Sequence, residues 1–329
     1  MTQLAPHLAA FIRDHLPRDR GCSPHTCEAY AYTFQLLLGF AATRCQTTPS
    51  SLTLEQLDAS LVTAFLGHLE TARGNSPSTR NARLAAIKSF AHFLEYRVPS
   101  SIEHVGRILA IPSKKTDQTL IDYLERDEIQ ALLDAPDPAT REGTRDRAML
   151  HVGFAAGLRV SELIGLQLDD LQTHPHGSIH IHGKGRRERV LPLWKETAKA
   201  LRAWVVVRGE RLTMELFLNA QGGRLTRSGF EYILRKYVSL AAQRCPSIMA
   251  KRVSPHVLRH SCAMHVLAAT RDVRQVALWL GHASVQSTEI YLRADPTEKL
   301  AALEAGAAPS LRSGRFRPPE RLLAMLQPH

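Results

Sequence analysis

Residues 254–293 read SPHVLRHSCAMHVLAATRDVRQVALWLGHASVQSTEIYLR. Ser254 is an N-cap residue and Pro255 suits the first helical position, so a helix is expected over about 255–269. Apolar residues recur through it at helical spacing and put Cys262 in the core. A second helix is expected over 272–280, ended by Gly281, and a third over 284–293. His256 and Arg259 lie one turn apart, at a helix start that favours a nearby phosphate. His282 follows Gly281, and Tyr291 comes nine residues later.

Upstream, residues 157–163 read GLRVSEL. Arg159 stands at an expected helix start, with Glu162 about one turn on and able to face it. Between the two stretches lies a clear strand signal. Residues 178–182, SIHIH, alternate; Gly183-Lys184-Gly185 turns; and 189–193, RVLPL, returns as the second arm of a β-hairpin. Lys184, Arg186, Arg187 and Arg189 fall in or beside that turn.

These residue types suit one chemistry. A phosphodiester repels nucleophiles. Cleaving it with side chains needs a nucleophile in line, cations on the two non-bridging oxygens and an acid for the departing 5′ oxygen. Arginine fits the oxygens, because its planar fork donates two hydrogen bonds and never loses its charge. Taken singly, each residue also has an ordinary reading. Arg159 could be a surface arginine, Glu162 a solvated helix residue, His282 a helix-terminal histidine and Tyr291 a core tyrosine.

The ordered set resembles the tyrosine recombinase, or phage integrase, family. GLRVSEL, HVLRH and LGH followed by Tyr291 match its boxes. The resemblance covers about residues 5–300. It implies that Arg159, Lys184, His256, Arg259, His282 and Tyr291 are catalytic, with Lys184 the general acid, His282 bonded to the scissile phosphate and Tyr291 the nucleophile. Glu162 would orient the cations, Arg186, Arg187 and Arg189 would contact DNA phosphates, and His260 would be structural. The product is a 3′-phosphotyrosyl link and a free 5′ hydroxyl. Bond energy is conserved, so neither cofactor nor metal is expected. The same chemistry serves type IB topoisomerase-like enzymes, and a DNA-binding protein with a retired site is the non-catalytic alternative.

The resemblance implies a mainly α fold class: a helical, SAM-like core-binding domain and a mixed α/β catalytic domain with a small antiparallel sheet, closing as a C-shaped clamp on DNA. Residues 1–111 read as four or five helices, opening near Leu4, Ser23-Pro24, Leu54 and Ser76-Pro77. Residues 112–119, PSKKTDQT, read as a linker, 120–296 as the catalytic domain and 297–329 as a tail. Leu300, Leu303, Leu322, Leu323, Met325 and Leu326 are apolar residues in want of a partner surface, and the family resemblance implies that such a tail docks on a neighbouring subunit, in a tetramer on two DNA sites built from this chain alone or with a related recombinase. The residues after Tyr291 look like those of recombinases carried by mobile elements.

Composition agrees. A formal charge of +11 over 329 residues points to a polyanion, most simply double-stranded DNA. Five cysteines without a C-x-x-C pair suggest reduced thiols and a cytoplasmic protein. No apolar run is long enough for a membrane span. His174, His176, His180 and His182 look metal-like, but no carboxylate or cysteine partner stands at a fixed spacing, so no metal is expected. Trp194, Trp204 and Trp279 read as core.

Overall fold

The protein is described from a computed structural model covering residues 2–117, 120–172, 177–183, 188–210, 213–282 and 284–294. The chain divides into two units, at 118/119.

The first unit is helical. Helix α1 (Leu4–Ala10) runs on as a wider π-type turn over Phe11–Asp19. Helices α2 (Pro24–Arg44) and α4 (Pro77–Arg97) each start on a Ser-Pro pair. The serine hydroxyl accepts the amide hydrogen of Thr26 in one and Thr79 in the other, the N-cap arrangement that proline at N1 accommodates. Helix α3 (Ala59–Thr71) begins five residues later than Leu54 suggested, because Asp58 caps it, accepting from the Leu61 amide at 2.6 Å. Leu54 and Leu57 remain buried. A further helix, α5 (Ile102–Leu109), follows Pro99. Phe11, Phe34, Phe65, Phe90 and Phe93 fill the core. The start of the expected linker is tied to this unit: Arg80 donates to the Pro112 carbonyl, and Lys114 pairs with Glu70 at 2.8 Å.

The second unit is built round α7 (Arg141–Ala155), of which all but Arg141, Glu142 and Arg147 is buried. Against or near it lie α6 (Arg126–Asp134), α8 (Val160–Gly165), α9 (Lys195–Arg208), α10 (Arg227–Ala241) and α11 (Pro255–Thr270). The hairpin is present: β2 (Ser178–His182) pairs antiparallel with β3 (Glu188–Pro192), in a register that sets His182 opposite Glu188. A two-residue strand, β1 (Leu171–Gln172), completes the sheet in the order β1-β2-β3. Helices α12 (Val273–Leu280) and α13 (Glu289–Ala294) end the described chain, separated by a 3-10 turn over Val285–Thr288. Trp204 is core, whereas Trp194, just before α9, is half exposed, its ring tilted against Phe154. The tail expected to dock, 297–329, lies outside the described residues, as do Lys184, Arg186, Arg187, His174 and His176. Among the described residues no helix is long and apolar enough to cross a membrane.

Candidate active site

Two motif glycines set the frame. Gly157 has φ +55° and Gly281 has φ +64°, the left-handed region that glycine enters without steric cost. Gly157 also has no room for a side chain: a Cβ there would meet Leu280 Cδ2 at 2.6 Å and Cys262 Sγ at 3.1 Å. These turns end α7 and α12 and aim two backbone carbonyls at one side chain. Arg259, on the second turn of α11, donates from Nη1 to the Gly157 carbonyl and from Nη2 to the Leu280 carbonyl at 2.8 Å. A guanidinium has five N–H donors, so three remain for an anion.

Arg159 stands at the start of α8, and its side chain is about a third exposed. Glu162 is almost wholly buried. Its Oε1 accepts from Arg159 Nη1 at 2.7 Å, and its Oε2 accepts from the Arg159 amide at 3.1 Å and Arg189 Nη2 at 2.9 Å, with Arg259 Nη1 3.9 Å away. Burial works against the charged carboxylate, but the Arg189 and Arg159 bonds outweigh it and its pKa is lowered. Three guanidiniums therefore surround one carboxylate, which leaves the cluster with surplus positive charge. Arg189 differs from expectation. Standing on the strand face that looks inward, its side chain is only 10% exposed and it belongs to this cluster. A solvated phosphate contact at that position would need the outward face.

Tyr291 is 1% exposed, packed among Ala263, Met264, Leu267, Val276 and Leu280. Its Oη lies 3.0 Å from His260 Nδ1. The His282 ring is stacked 6.4 Å away, and its Nδ1 lies 2.7 Å from Thr288 Oγ1. Burial pushes the Tyr291 phenol up to about 12, against the pull of Arg259 and Arg159. Burial holds His260 down at about 4, helped by His256 and Arg259, and holds His282 down at about 4, helped by Arg259, Arg159 and Arg189. Arg259 is lowered to about 10 by burial and the Arg159 charge, and stays protonated at neutral pH. At neutral pH the site thus holds charged arginines, neutral His260 and His282, and an intact phenol.

Of the expected residues, Arg159, Glu162, Arg259, His282 and Tyr291 converge. His256 is exposed on the first turn of α11 and close enough to depress His260. Lys184, Arg186 and Arg187 lie outside the described residues. Sequence reasoning undervalued His260 and passed over Thr288 as the partner of His282. The signal for His260 was its position four residues after His256, which puts both on one helix face.

Comparison with known proteins gives the following. The profile of the phage integrase family matches residues 122–298, and that of the phage integrase N-terminal SAM-like domain matches 9–97. The chain is 44% identical over 325 residues to a putative integrase/recombinase, y4rC, of Sinorhizobium fredii (strain NBRC 101917 / NGR234), covering 98% of this chain and 97% of the relative. It is 36% identical to tyrosine recombinase XerC of Myxococcus xanthus, over 88% of this chain and 94% of that one. In fold it is similar to XerH recombinase bound to palindromic difH substrate (TM-score 0.66, 20% identity, 87% and 81% covered). It is also similar to the Tn1549 transposon integrase with circular-intermediate DNA (TM-score 0.66, 16% identity, 93% and 100% covered).

Proposed function

The chain belongs to the phage integrase family, the tyrosine recombinases that cut and rejoin DNA through a 3′-phosphotyrosyl intermediate, and from this we propose what each residue of its site does. The observation that carries the assignment is the meeting of the Tyr291 phenol, neutral His260 and His282, and the fixed Arg259 in one cluster. Arg159 and Arg259 hold the two non-bridging oxygens of the scissile phosphate. Arg189 and Glu162 position them, the carboxylate through three side-chain or backbone donors and Arg189 through that carboxylate. His282 donates a hydrogen bond to the phosphate, and His256 lies at its edge.

Tyr291 Oη attacks phosphorus in line. His260 receives the phenolic hydrogen bond, so its Nδ1 is the acceptor nearest the proton that must leave. As the bond from phosphorus to the 5′ oxygen breaks, Lys184 delivers a proton to that oxygen. The new ester stores the bond energy of the old one, and a 5′ hydroxyl of the exchanged strand reverses the step without ATP. Arg186 and Arg187 contact backbone phosphates.

DNA is the partner. Four copies acting on two DNA sites, with residues from about 297 onward docking head-to-tail on the neighbour, is the assembly we propose, in a chain working in the cytoplasm. The helical unit up to about 111 and the catalytic unit over 120–296 act as separate DNA-holding domains. A mobile-element role is favoured by the residues that follow Tyr291, LRADPTEKLAALEAG. The decisive test is Tyr291→Phe on a nicked suicide substrate. DNA binding should persist and the covalent protein–DNA adduct should vanish; an adduct formed by this variant sinks the assignment.

A further inference from the structure

The outward face of the hairpin carries a second constellation. Successive strand residues point to opposite faces. Ile179 and Ile181 are buried, and His180 and His182 look the other way. The register sets Glu188 opposite His182. Glu188 Oε2 lies 3.0 Å from His180 Nε2, and Glu188 Oε1 lies 3.3 Å from His182 Nδ1. The 3-10 turn over Leu168–Asp170 brings in Asp170, whose Oδ1 lies 3.1 Å from His182 Nε2. One ligand atom from each of Asp170, His180 and His182 falls within 4.8 Å of the other two.

We propose that Asp170, His180 and His182 form a three-ligand binding site for a zinc-class divalent cation, open at its remaining position, with Glu188 hydrogen-bonded to the two histidines and orienting them. Two imidazoles and a carboxylate suit zinc, and the nitrogen donors disfavour magnesium and calcium. Asp170 is prepared for the role. Its side chain is 9% exposed, and its Oδ2 accepts from the Gln167 amide at 2.8 Å. That bond fixes the carboxylate and leaves Oδ1 for a metal, as a supporting hydrogen bond commonly does for a ligand. The histidines are open enough to admit an ion, His182 being 57% and His180 34% exposed. The missing carboxylate partners were invisible in the sequence, because strand register and the turn before β1, rather than spacing, bring them in.

The site is apart from the strand-transfer chemistry, since Arg189 and Glu162 lie on the inward side. Its consequence is mechanical. Bound cation joins the turn before β1 to the last paired rung of β2 and β3, the rung from which the segment carrying Lys184 departs.

The test is equilibrium dialysis of the untagged full-length chain with zinc, beside His180→Ala/His182→Ala and Asp170→Asn. Retained DNA binding verifies that the variants fold. The wild type should hold one zinc that the double histidine variant loses, and Asp170→Asn should weaken affinity by at least about tenfold. Cobalt in place of zinc should give a spectrum without a thiolate charge-transfer band, and zinc should slow hydrogen exchange at the ends of β2 and β3 in the wild type alone. Equal zinc in the wild type and the double variant, no zinc in the wild type, or a thiolate band would overturn the proposal. Loss of the adduct in any Tyr291 variant leaves these readings untouched.

Discussion

At the scale of single residues, the site depends on one carboxylate among three guanidiniums. Glu162→Gln would leave buried positive charge uncompensated, and removal of one partner from a buried pair costs about 3–5 kcal/mol. Unfolding in urea should show a loss of that order, partly restored by sulfate, an anion that the surplus charge can hold. Arg259→Lys keeps the charge but loses the fork that reaches both the Gly157 and Leu280 carbonyls. Cleavage should slow about 10²–10³-fold in single-turnover assays, with DNA binding little changed. His260→Ala should slow adduct formation by about 10²-fold or more, the usual worth of a positioned proton acceptor. Much of this site was legible. Arg159, Glu162, Arg259, His282 and Tyr291 stand in short ordered boxes, and the structure gathers them. The inward turn of Arg189 towards Glu162 was not legible, because a run of basic residues at a turn gives no hint of which strand face each one takes.

At the scale of elements, the punctuation was easier to read than the pairing. Ser-Pro pairs announced α2, α4 and α11, and the Gly-flanked turn announced the hairpin. These signals are local, written in the residues that form them. The start of α3 was misplaced because Leu54 and Leu57 have helical spacing but are buried from a turn, and the cap that decides the matter is Asp58. Strand β1 is two residues long and exists through its pairing with β2, which no local pattern records. The turn at Gly157 offers an element-level test. Gly157→Ala introduces a left-handed alanine and a Cβ 2.6 Å from Leu280 Cδ2. The strain should lower unfolding free energy by about 1–3 kcal/mol. Cleavage should fall further than binding, because the Gly157 carbonyl that anchors Arg259 moves with it.

At the scale of the whole molecule, one buried histidine and two half-buried ones make the fold pH-dependent. His151, His260 and His282 are each held down at about 4, mainly by burial, against an ordinary 6.5. The unfolded chain therefore takes up protons first as acid is added. Stability is full above about pH 6.5 and falls as the pH drops towards 4. Urea unfolding at about pH 7.5 and about pH 5 should show the decline, and His151→Gln should make it shallower. Truncation after Asp295 should preserve binding to one half-site but abolish cooperative binding to a full site, as read by gel shift. Unchanged cooperativity would remove the docking role of the tail. The burial of Tyr291 bears on how such a protein lives with a genome. A charge of +11 ensures frequent, sequence-blind encounters with duplex DNA, and nearly all of them are mistakes. A phenol shut inside the fold and still carrying its proton leaves those visits without a scar. The search for a target can then be long, repetitive and harmless, and damage is confined to the rare address where the last short helix is given a reason to yield.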